Sequence, residues 1–375
     1  MKVEQRTWNP TSAWNRSSSN ANAQLVLVFG SRHALSSPAH LEELKKAYPA
    51  AHLFGCSTAG EIAGTNVRDD TIVATAVEFQ KTRFEIQSTE CISTEDSWNA
   101  GARLAQQLPK DGLVHVLVLS DGQKVNGSDL VMGLRSAIPP NVQITGGLAG
   151  DGARFEHTLV VVDDTAKEGC VAVVGLYGAG LKVGYGSLGG WDPFGPQRMI
   201  TRSEGNVLYE LDGHPALALY KRYLGEHAQG LPATGLLFPL SLQTPDGKHE
   251  LTRTILNVNE ADQSLTFAGD VPQGNVARLM KANFDRLVDG AHGAAEMSNL
   301  TLHGTAELAL LISCVGRKLV LKQRTEDELE AVRDVLGPEP VMTGFYSYGE
   351  VCPSAPNANC ELHNQTMTIT TLSEN

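Results

Sequence analysis

The residues best suited to hold a metal ion or haem lie near the end of the chain. Cys352 and Cys360 are followed closely by His363. Thiolate and imidazole are the usual protein ligands of haem iron, iron–sulfur clusters and zinc. Their spacing is not a recognised zinc pattern, so a further ligand would come from elsewhere, with Cys56 or Cys314 as candidates. The alternative is that the thiols are ordinary loop residues and that His363 bonds to the backbone.

A second candidate site is a turn in which glycine precedes an acidic residue. The turn occurs three times, as Gly60-Glu61, Gly150-Asp151 and Gly349-Glu350. Small residues around it would leave backbone N–H groups open to a ligand, as in anion-binding nests. The candidate ligand contacts are Ser57, Thr58, Glu61, Asp151, Tyr346, Tyr348 and Glu350. The acidic residues could bind a ligand amine or accept local backbone hydrogen bonds, and both interpretations stay open.

Each turn ends a repeated run of elements. A strand-like segment, a helical segment, a proline and a second strand precede it, and a β-rich segment follows. Pro49, Pro139 and Pro338 stand at the same distance before the turn glycines at 60, 150 and 349. Proline stops a helix and favours extended chain after it. The shared register predicts internal duplication of a β-α-β-β unit.

Composition sets the class of protein. The 375 residues are 42% hydrophobic and 19% charged, which is a globular profile long enough for two domains. The net charge of −12 and the dispersed Lys and Arg residues argue against nucleic-acid binding. Six scattered cysteines do not form a disulfide framework. The apolar runs are too short to cross a membrane and no signal peptide is evident, so we expect a cytoplasmic protein.

The predicted fold is α+β, with mixed sheets packed against helices in a layered αββα-type sandwich. Residues 1–22 are polar and are expected to be a loosely ordered lead-in. A loop rich in Gly and Pro at residues 189–196 marks a change of composition. It divides the chain into domains at 23–198 and 199–375. A long helix is predicted over residues 274–290.

Motifs for catalysis are weak. Neither the G-x-S-x-G elbow nor the G-x-x-x-x-G-K-[ST] phosphate-binding motif occurs, and no G-x-G-x-x-G motif follows a predicted strand. Cys56 lies in a glycine frame, but a nucleophilic thiol needs a base and the sequence does not identify one. We therefore expect a non-catalytic protein, with a Cys-dependent hydrolase or transferase as the alternative.

Several segments resemble the FIST domain family. Two segments resemble its N-terminal domain, at residues 55–61 and 146–151. Four segments resemble its C-terminal domain, at residues 204–225, 314–317, 343–353 and 360–366. The resemblance implies a sensor of signal transduction. A chain of this length is also similar to the bacterial NosP haemoproteins, which sense nitric oxide.

That similarity implies haem, and a histidine kinase or a cyclic-di-GMP enzyme as partner in a two-component system. The cysteine and histidine side chains near the end of the chain leave an iron–sulfur cluster as a further option. The chain could also form a homo-oligomer. The alternative is a FIST sensor that binds a small metabolite such as an amino acid, without haem.

Overall fold

The computed structural model describes residues 1–15, 20–243, 250–355 and 358–374. Within these residues the strands form four sheets, and helices pack on them. Both parallel and antiparallel strand pairs occur, for example the parallel pair of residues 25–30 with 52–57. The prediction of a mixed α+β fold is confirmed.

The first repeated unit consists of β1 (Lys2–Asn9), β2 (Ala13–Trp14), β3 (Leu25–Gly30), α1 (Arg32–Leu35), α2 (Pro38–Ala47), β4 (His52–Ser57), β5 (Glu61–Ala63), β6 (Asn66–Arg68) and β7 (Ile72–Glu78). Helix α2 has proline at its first position, where the missing N–H costs nothing. Its Leu41 and Leu44 are buried. Strand β3 is apolar and fully buried because it lies in the middle of its sheet with both faces covered.

The second unit consists of β8 (Arg83–Glu90), α3 (Ser97–Gln107), β9 (Leu113–Ser120), α4 (Gly127–Arg135), β10 (Gln143–Leu148), β11 (Val160–Val162), β12 (Thr165–Lys167) and β13 (Cys170–Tyr177), with a short 3-10 helix at Thr94–Asp96. Asn126 begins α4 as its N-cap, since its side chain accepts hydrogen bonds from the N–H groups of Ser128 and Asp129.

The third unit begins with β14 (Leu181–Leu188) and is then interrupted by an inserted unit. The inserted unit consists of β15 (Asp192–Glu204), β16 (Val207–Leu211), β17 (His214–Pro215), α5 (Ala216–Leu224), β18 (Leu240–Gln243), β19 (Glu250–Arg253), β20 (Ile255–Asn259), β21 (Ser264–Phe267) and β22 (Val276–Lys281), with 3-10 helices at Gly225–Gly230 and Ala233–Leu237. Its strands form one of the four sheets. It also has its own hydrophobic core, which includes Leu208 and Phe267.

After the inserted unit the third unit continues with α6 (Phe284–Leu302), β23 (Leu308–Cys314), α7 (Val315–Leu321), α8 (Thr325–Leu336), β24 (Val341–Ser347), β25 (Gly349–Pro353), β26 (Cys360–His363) and β27 (Met367–Glu374), with a 3-10 helix at Lys322–Arg324. The helix predicted over residues 274–290 is wrong in its first half. Strand β22 occupies that part, and α6 begins only at Phe284, where the Asn283 side chain accepts a hydrogen bond from the N–H of Arg286.

The three repeated units exchange hairpins in a closed cycle. The sheet orders are β12-β11-β4-β3-β7-β1-β2, β26-β25-β10-β9-β13-β8 and β6-β5-β24-β23-β27-β14. In each sheet one unit supplies the central strands, and the hairpin that follows the glycine–acid turn comes from another unit. The second unit gives its hairpin to the first sheet, the third gives to the second, and the first gives to the third. This repeated strand order confirms the predicted internal duplication.

The three sheets enclose a shared core. Leu27 of β3, Leu117 of β9 and Leu310 of β23 belong to one buried cluster. Within it the rings of Phe29 and Phe345 stack with centroids 4.8 Å apart. Since these residues come from all three units, the units fold around a common interior.

The N-terminus departs from the expectation of a loosely ordered lead-in. Strand β1 pairs antiparallel with β7 from Lys2 to Trp8. The amino group of Met1 lies 2.7 Å from the carboxylate of Glu307 and 3.4 Å from that of Glu374. Strand β1 is polar in sequence because it lies near a sheet edge, but backbone pairing and these ion pairs hold it in place. Residues 16–19 of the predicted lead-in lie outside the described residues. The domain division at 198/199 stays a prediction, and β15 runs through it.

Candidate functional site

The three glycine–acid turns, far apart in sequence, meet in the fold. The N–H of Ala59 donates to the carbonyl of Tyr346, and the N–H of Tyr346 donates to that of Gly60, both at 2.8 Å. The N–H of Gly150 donates to the carbonyl of Ser57 at 2.8 Å. These backbone bonds join the first turn to both of the others.

The second and third turns are joined by Tyr348. Its N–H donates to the carbonyl of Leu148 at 3.2 Å, and its hydroxyl donates to the carbonyl of Gly152 at 3.2 Å. The same hydroxyl accepts from the N–H of Phe155 at 3.1 Å. The two rings of Tyr348 and Phe155 stack with centroids 4.3 Å apart. Tyr348 therefore fixes the loop that follows Asp151.

Glu61 and Glu350 are buried and bonded to their own surroundings. Glu61 accepts from the hydroxyl of Thr58 at 2.5 Å and from the N–H and hydroxyl of Thr71 at 3.1 and 2.7 Å. Burial raises its pKa to about 7, against the lowering effect of these bonds. The carboxylate closes its own turn, as the local hydrogen-bond interpretation expects.

Glu350 repeats this arrangement in the third unit. It accepts from the hydroxyl of Ser347 at 2.6 Å and from the N–H and hydroxyl of Thr366 at 3.2 and 2.9 Å. Burial raises its pKa to about 8. Both glutamates therefore join a turn to the start of a following strand. Ser57 has a comparable role, since its hydroxyl donates to the carbonyl of Gly150 at 2.8 Å.

Asp151 differs from the two glutamates because it binds arginine. Its Oδ1 accepts from Nε and Nη2 of Arg154 at 2.9 and 2.6 Å, and Nε of Arg32 lies 3.4 Å from the same oxygen. The Asp151 side chain is fully buried, whereas the Arg154 side chain is about half exposed. Asp151 thus holds a guanidinium at the surface of the second turn.

Beside this guanidinium lies a cleft of about 570 Å³. One wall comes from the repeated units, with Ala153, Arg154, Phe155 and Leu319. The other wall comes from the inserted unit, with residues between 230 and 237 and at 255 and 256. The cleft is mostly apolar, and a volume of this size suits a small organic ligand. Sequence reasoning missed Arg154 and Phe155, although both lie within four residues of Asp151.

Cys352, Cys360 and His363 do not converge on one point. They lie on the paired strands β25 and β26, where Cys352 stands opposite Glu361 and Cys360 opposite Pro353. Since side chains alternate along a strand, Cys352 and His363 share one face and Cys360 is on the other. His363 Nε2 lies 2.9 Å from the carbonyl oxygen of Cys352. Burial lowers the pKa of His363 to about 4.

Within the residues that the structure describes, no group of three or more His, Cys, Asp or Glu side chains could hold a metal ion. Cys56 and Cys314 are also buried, and burial raises the pKa of each thiol well above its ordinary range. The predicted ligand set of Cys352, Cys360 and His363 therefore does not fit one shared metal centre as these residues are placed.

Cys360 lines a cavity. Its Sγ donates to the carbonyl of Ile144 at 3.0 Å, and burial raises the pKa of the thiol. The cavity, of about 500 Å³, is also lined by Arg135, Met132 and Glu361. It lies on the second unit's helix α4, apart from the cleft at Arg154.

Comparison with known proteins identifies the family. The FIST N domain matches residues 24–214 and the FIST C domain matches residues 216–353. The chain belongs to the FIST family. FIST domains are sensor domains of signal transduction that bind small ligands. No helix in the described part of the chain is long and apolar enough to span a membrane.

Two similar proteins extend the comparison. An uncharacterized protein of Methanocaldococcus jannaschii is 26% identical over 343 residues, which cover 82% of this chain and 62% of that protein. This chain thus spans less than two thirds of that relative's length. Among solved structures, a cyanuric acid hydrolase described as an innovation by structural concatenation aligns with 100% of this chain and 99% of its own. The sequence identity is 10% and the TM-score 0.32.

Proposed function

We propose that this protein is a signal-transduction sensor whose small ligand binds in the cleft between the repeated units and the inserted unit. The observation that carries the proposal is the origin of the two walls. Arg154 and Phe155 come from the second unit, whereas Leu231 and Ile255 come from the inserted unit. A ligand that contacts both walls favours whichever arrangement of the two units binds it better.

Buried hydrogen bonds behind the cleft connect the inserted unit to the third unit, so that a ligand-dependent change of arrangement can pass between them. Arg317 of α7 donates from Nη2 to the carbonyl of Leu287 at 2.6 Å and from Nη1 to that of Gly189. Those residues flank the inserted unit on either side. Arg253 of the inserted unit donates to the carbonyl of Leu362 at 2.9 Å. A change at the cleft therefore reaches the strands of the third unit through buried hydrogen bonds.

A sensor also needs a receiver. We propose a signalling enzyme, either a histidine kinase or a cyclic-di-GMP enzyme, that distinguishes the ligand-bound arrangement from the free one. The linkage is reciprocal, so partner binding changes ligand affinity by the same factor as ligand changes partner affinity.

The site is tested by ligand screening with variants of each wall. Phe155→Ala and Ile255→Ala should each weaken any hit found by thermal shift, because they remove apolar contact from opposite walls. Leu300→Ala is the matched control, since Leu300 is 72% exposed on α6 and does not line the cleft. Hits that bind both wall variants as tightly as the unaltered protein would place the ligand elsewhere.

Haem at the Cys360 cavity is the second candidate. It is supported by the size of that cavity and by Arg135, whose guanidinium donates to the carbonyls of Ile138, Pro139 and Val142 and keeps further N–H groups for a haem propionate. Cys360 would be the iron ligand there, and bound haem would supply the iron that takes up nitric oxide. Added haem should then give a Soret band that Cys360→Ala changes and Cys352→Ala does not. Equal spectra from the two variants would reject this site.

A further inference from the structure

We infer that the cleft takes a small organic monoanion with an apolar body, and that Arg154 binds its carboxylate or equivalent anionic group. This inference rests on the proposed function for the location of the ligand, and it goes beyond it in naming the ligand's chemistry. It is drawn from the charges and contacts of the cleft walls.

The lining itself defines an amphipathic ligand. Of the lining residues that the structure describes, Arg154 alone carries a charge. Thr234 is polar, but its hydroxyl donates to the carbonyl of His227 at 2.9 Å. Most of the others are aliphatic or aromatic, such as Phe155, Leu256 and Leu319. An apolar body gains by leaving water for such walls, and a single cation selects the charge of the ligand's other end.

Arg154 keeps donors for a ligand while it is held in place. A guanidinium has five N–H donors in a fixed fork. Nε and Nη2 contact the single oxygen Oδ1 of Asp151, which leaves Nη1 and one N–H of Nη2 for an incoming anion. The side chain is therefore positioned before the ligand arrives, which reduces the entropy lost on binding.

The surrounding charges favour an added anion. The Asp151 carboxylate is shared by Arg154 and Arg32, so two guanidinium groups face one buried carboxylate. The pKa of Arg154 is raised mainly by its hydrogen bond to Asp151, and Asp70 contributes least among the groups that affect it. An anion in the cleft would bring the local charge close to balance.

A free amino acid suits this cleft poorly. Its carboxylate could pair with Arg154, but its ammonium group needs a carboxylate or several acceptors when it leaves water. The described lining residues include no Asp or Glu. The geometry therefore favours a simple monocarboxylate over an amino acid of the same size.

The test uses matched probes on the full chain. Monocarboxylates with linear, branched and aromatic bodies, for example octanoate and 3-phenylpropionate, are titrated by NMR or calorimetry. The same titrations are run with their amides, their amines and phenylalanine. We expect a carboxylate to bind about tenfold or more tightly than its amide, as the loss of a charge-assisted hydrogen bond implies. Arg154→Gln should abolish that preference, and Arg154→Lys should retain part of it.

Arg202→Gln is the control, since Arg202 is an exposed arginine of the inserted unit paired with Glu210. It should change nothing in these titrations, and circular dichroism should show that all three arginine variants are folded. Equal affinity for carboxylate and amide, with Phe155→Ala weakening both, would overturn the anion inference and keep the cleft as the ligand site. Failure of every probe to bind would overturn the anion inference alone, whereas binding that Phe155→Ala and Ile255→Ala leave unchanged would overturn both proposals.

Discussion

Arg317 and Glu328 form an ion pair in which both side chains are fully buried. Nε and Nη2 of Arg317 lie 3.0 and 2.8 Å from Oε2 of Glu328. The other carboxylate oxygen accepts from the hydroxyls of Ser313 and Tyr346, at 3.0 and 2.6 Å. The pair thus joins α7, α8 and the strands β23 and β24. The Arg317 guanidinium also donates to the carbonyls of Gly189 and Leu287, which flank the inserted unit on either side.

Breaking this pair should be costly. Glu328→Gln leaves a buried guanidinium without a counter-charge, and we expect a loss of about 3–5 kcal/mol in the free energy of unfolding. The control is Arg324→Met, which breaks exposed pairs with Asp285 and Asp327 and should cost less than about 1 kcal/mol. Urea unfolding measures both values. Similar losses from the two variants would contradict the assigned role of the buried pair.

The two buried glutamates should make the protein less stable as pH rises through neutrality. Each native pKa is raised, to about 7 for Glu61 and about 8 for Glu350, whereas the unfolded chain ionises near its ordinary value. Between those values the native state keeps a proton that the unfolded state has lost. Stability therefore falls with rising pH, by up to about 1.4 kcal/mol per pH unit for each group, and levels off above the native pKa.

The clearest window for this measurement lies above about pH 6.5. Burial lowers the pKa of His115 and His363 to about 3 and about 4, and these groups add stability as pH rises toward their unfolded value. Above that value only the glutamate effect remains among these four groups. Urea unfolding from pH 6.5 to 8 should show a decline that Glu350→Gln reduces. An unchanged slope in that variant would argue against a protonated Glu350.

The sequence predicted the repeated units well and their connections poorly. The repeated proline Pro338 marks the end of helix α8, since it follows the helix's last residue, Leu336, and Gly337, and the apolar residues of the helix recur at helical spacing. The hairpin exchange was not predictable in this way, since strands such as β10 and β25 pair across about two hundred residues. Residues 276–281 were assigned to a helix, but they pair on both sides with β15 and β18, and local propensity gives way to such pairing.

The candidate site shows the same division. The sequence singled out Asp151 and Tyr348, and both prove to be supports of the cleft. Arg154 and Phe155, which line it, lie three and four residues after Asp151 in sequence, but their surroundings come from the inserted unit. That setting arises from tertiary packing, which no local pattern encodes.

Two tyrosines provide a matched test of the cleft. Tyr348→Phe removes the hydroxyl that bonds to Gly152 and Phe155 while it keeps the ring stack, and we expect it to weaken ligand binding several-fold and stability by about 1 kcal/mol. Tyr346→Phe removes the equivalent hydroxyl of the tyrosine two residues earlier, and that hydroxyl donates to Glu328. It should lower stability but leave ligand affinity unchanged. Calorimetric titration of a cleft ligand distinguishes the variants, and equal loss of affinity in both would show that the effect is not local.

One glycine in each repeated unit should be irreplaceable for the same physical reason. A Cβ built on Gly55, Gly146 or Gly344 would lie 1.7 or 1.8 Å from the carbonyl oxygen of Val28, Val118 or Leu311 respectively. In each case the clash is with the backbone of the neighbouring parallel strand, to which that glycine is directly paired. Backbone in the middle of a sheet cannot move aside without breaking ladder hydrogen bonds. Gly146→Ala and Gly344→Ala should therefore each cost more than about 3 kcal/mol.

Gly304→Ala is the control for these two variants, because the nearest atoms to its added Cβ lie 3.6 Å away or farther. It should change the free energy of unfolding by less than about 0.5 kcal/mol. Thermal and urea unfolding of the three variants test the point, and expression of soluble protein reports variants too unstable to purify. Near-wild-type stability of Gly146→Ala would mean that β9 and β10 separate more easily than their pairing indicates. Equal losses at residues 146 and 344 would support the equivalence of the two units at the level of single atoms, because the same contact recurs in each.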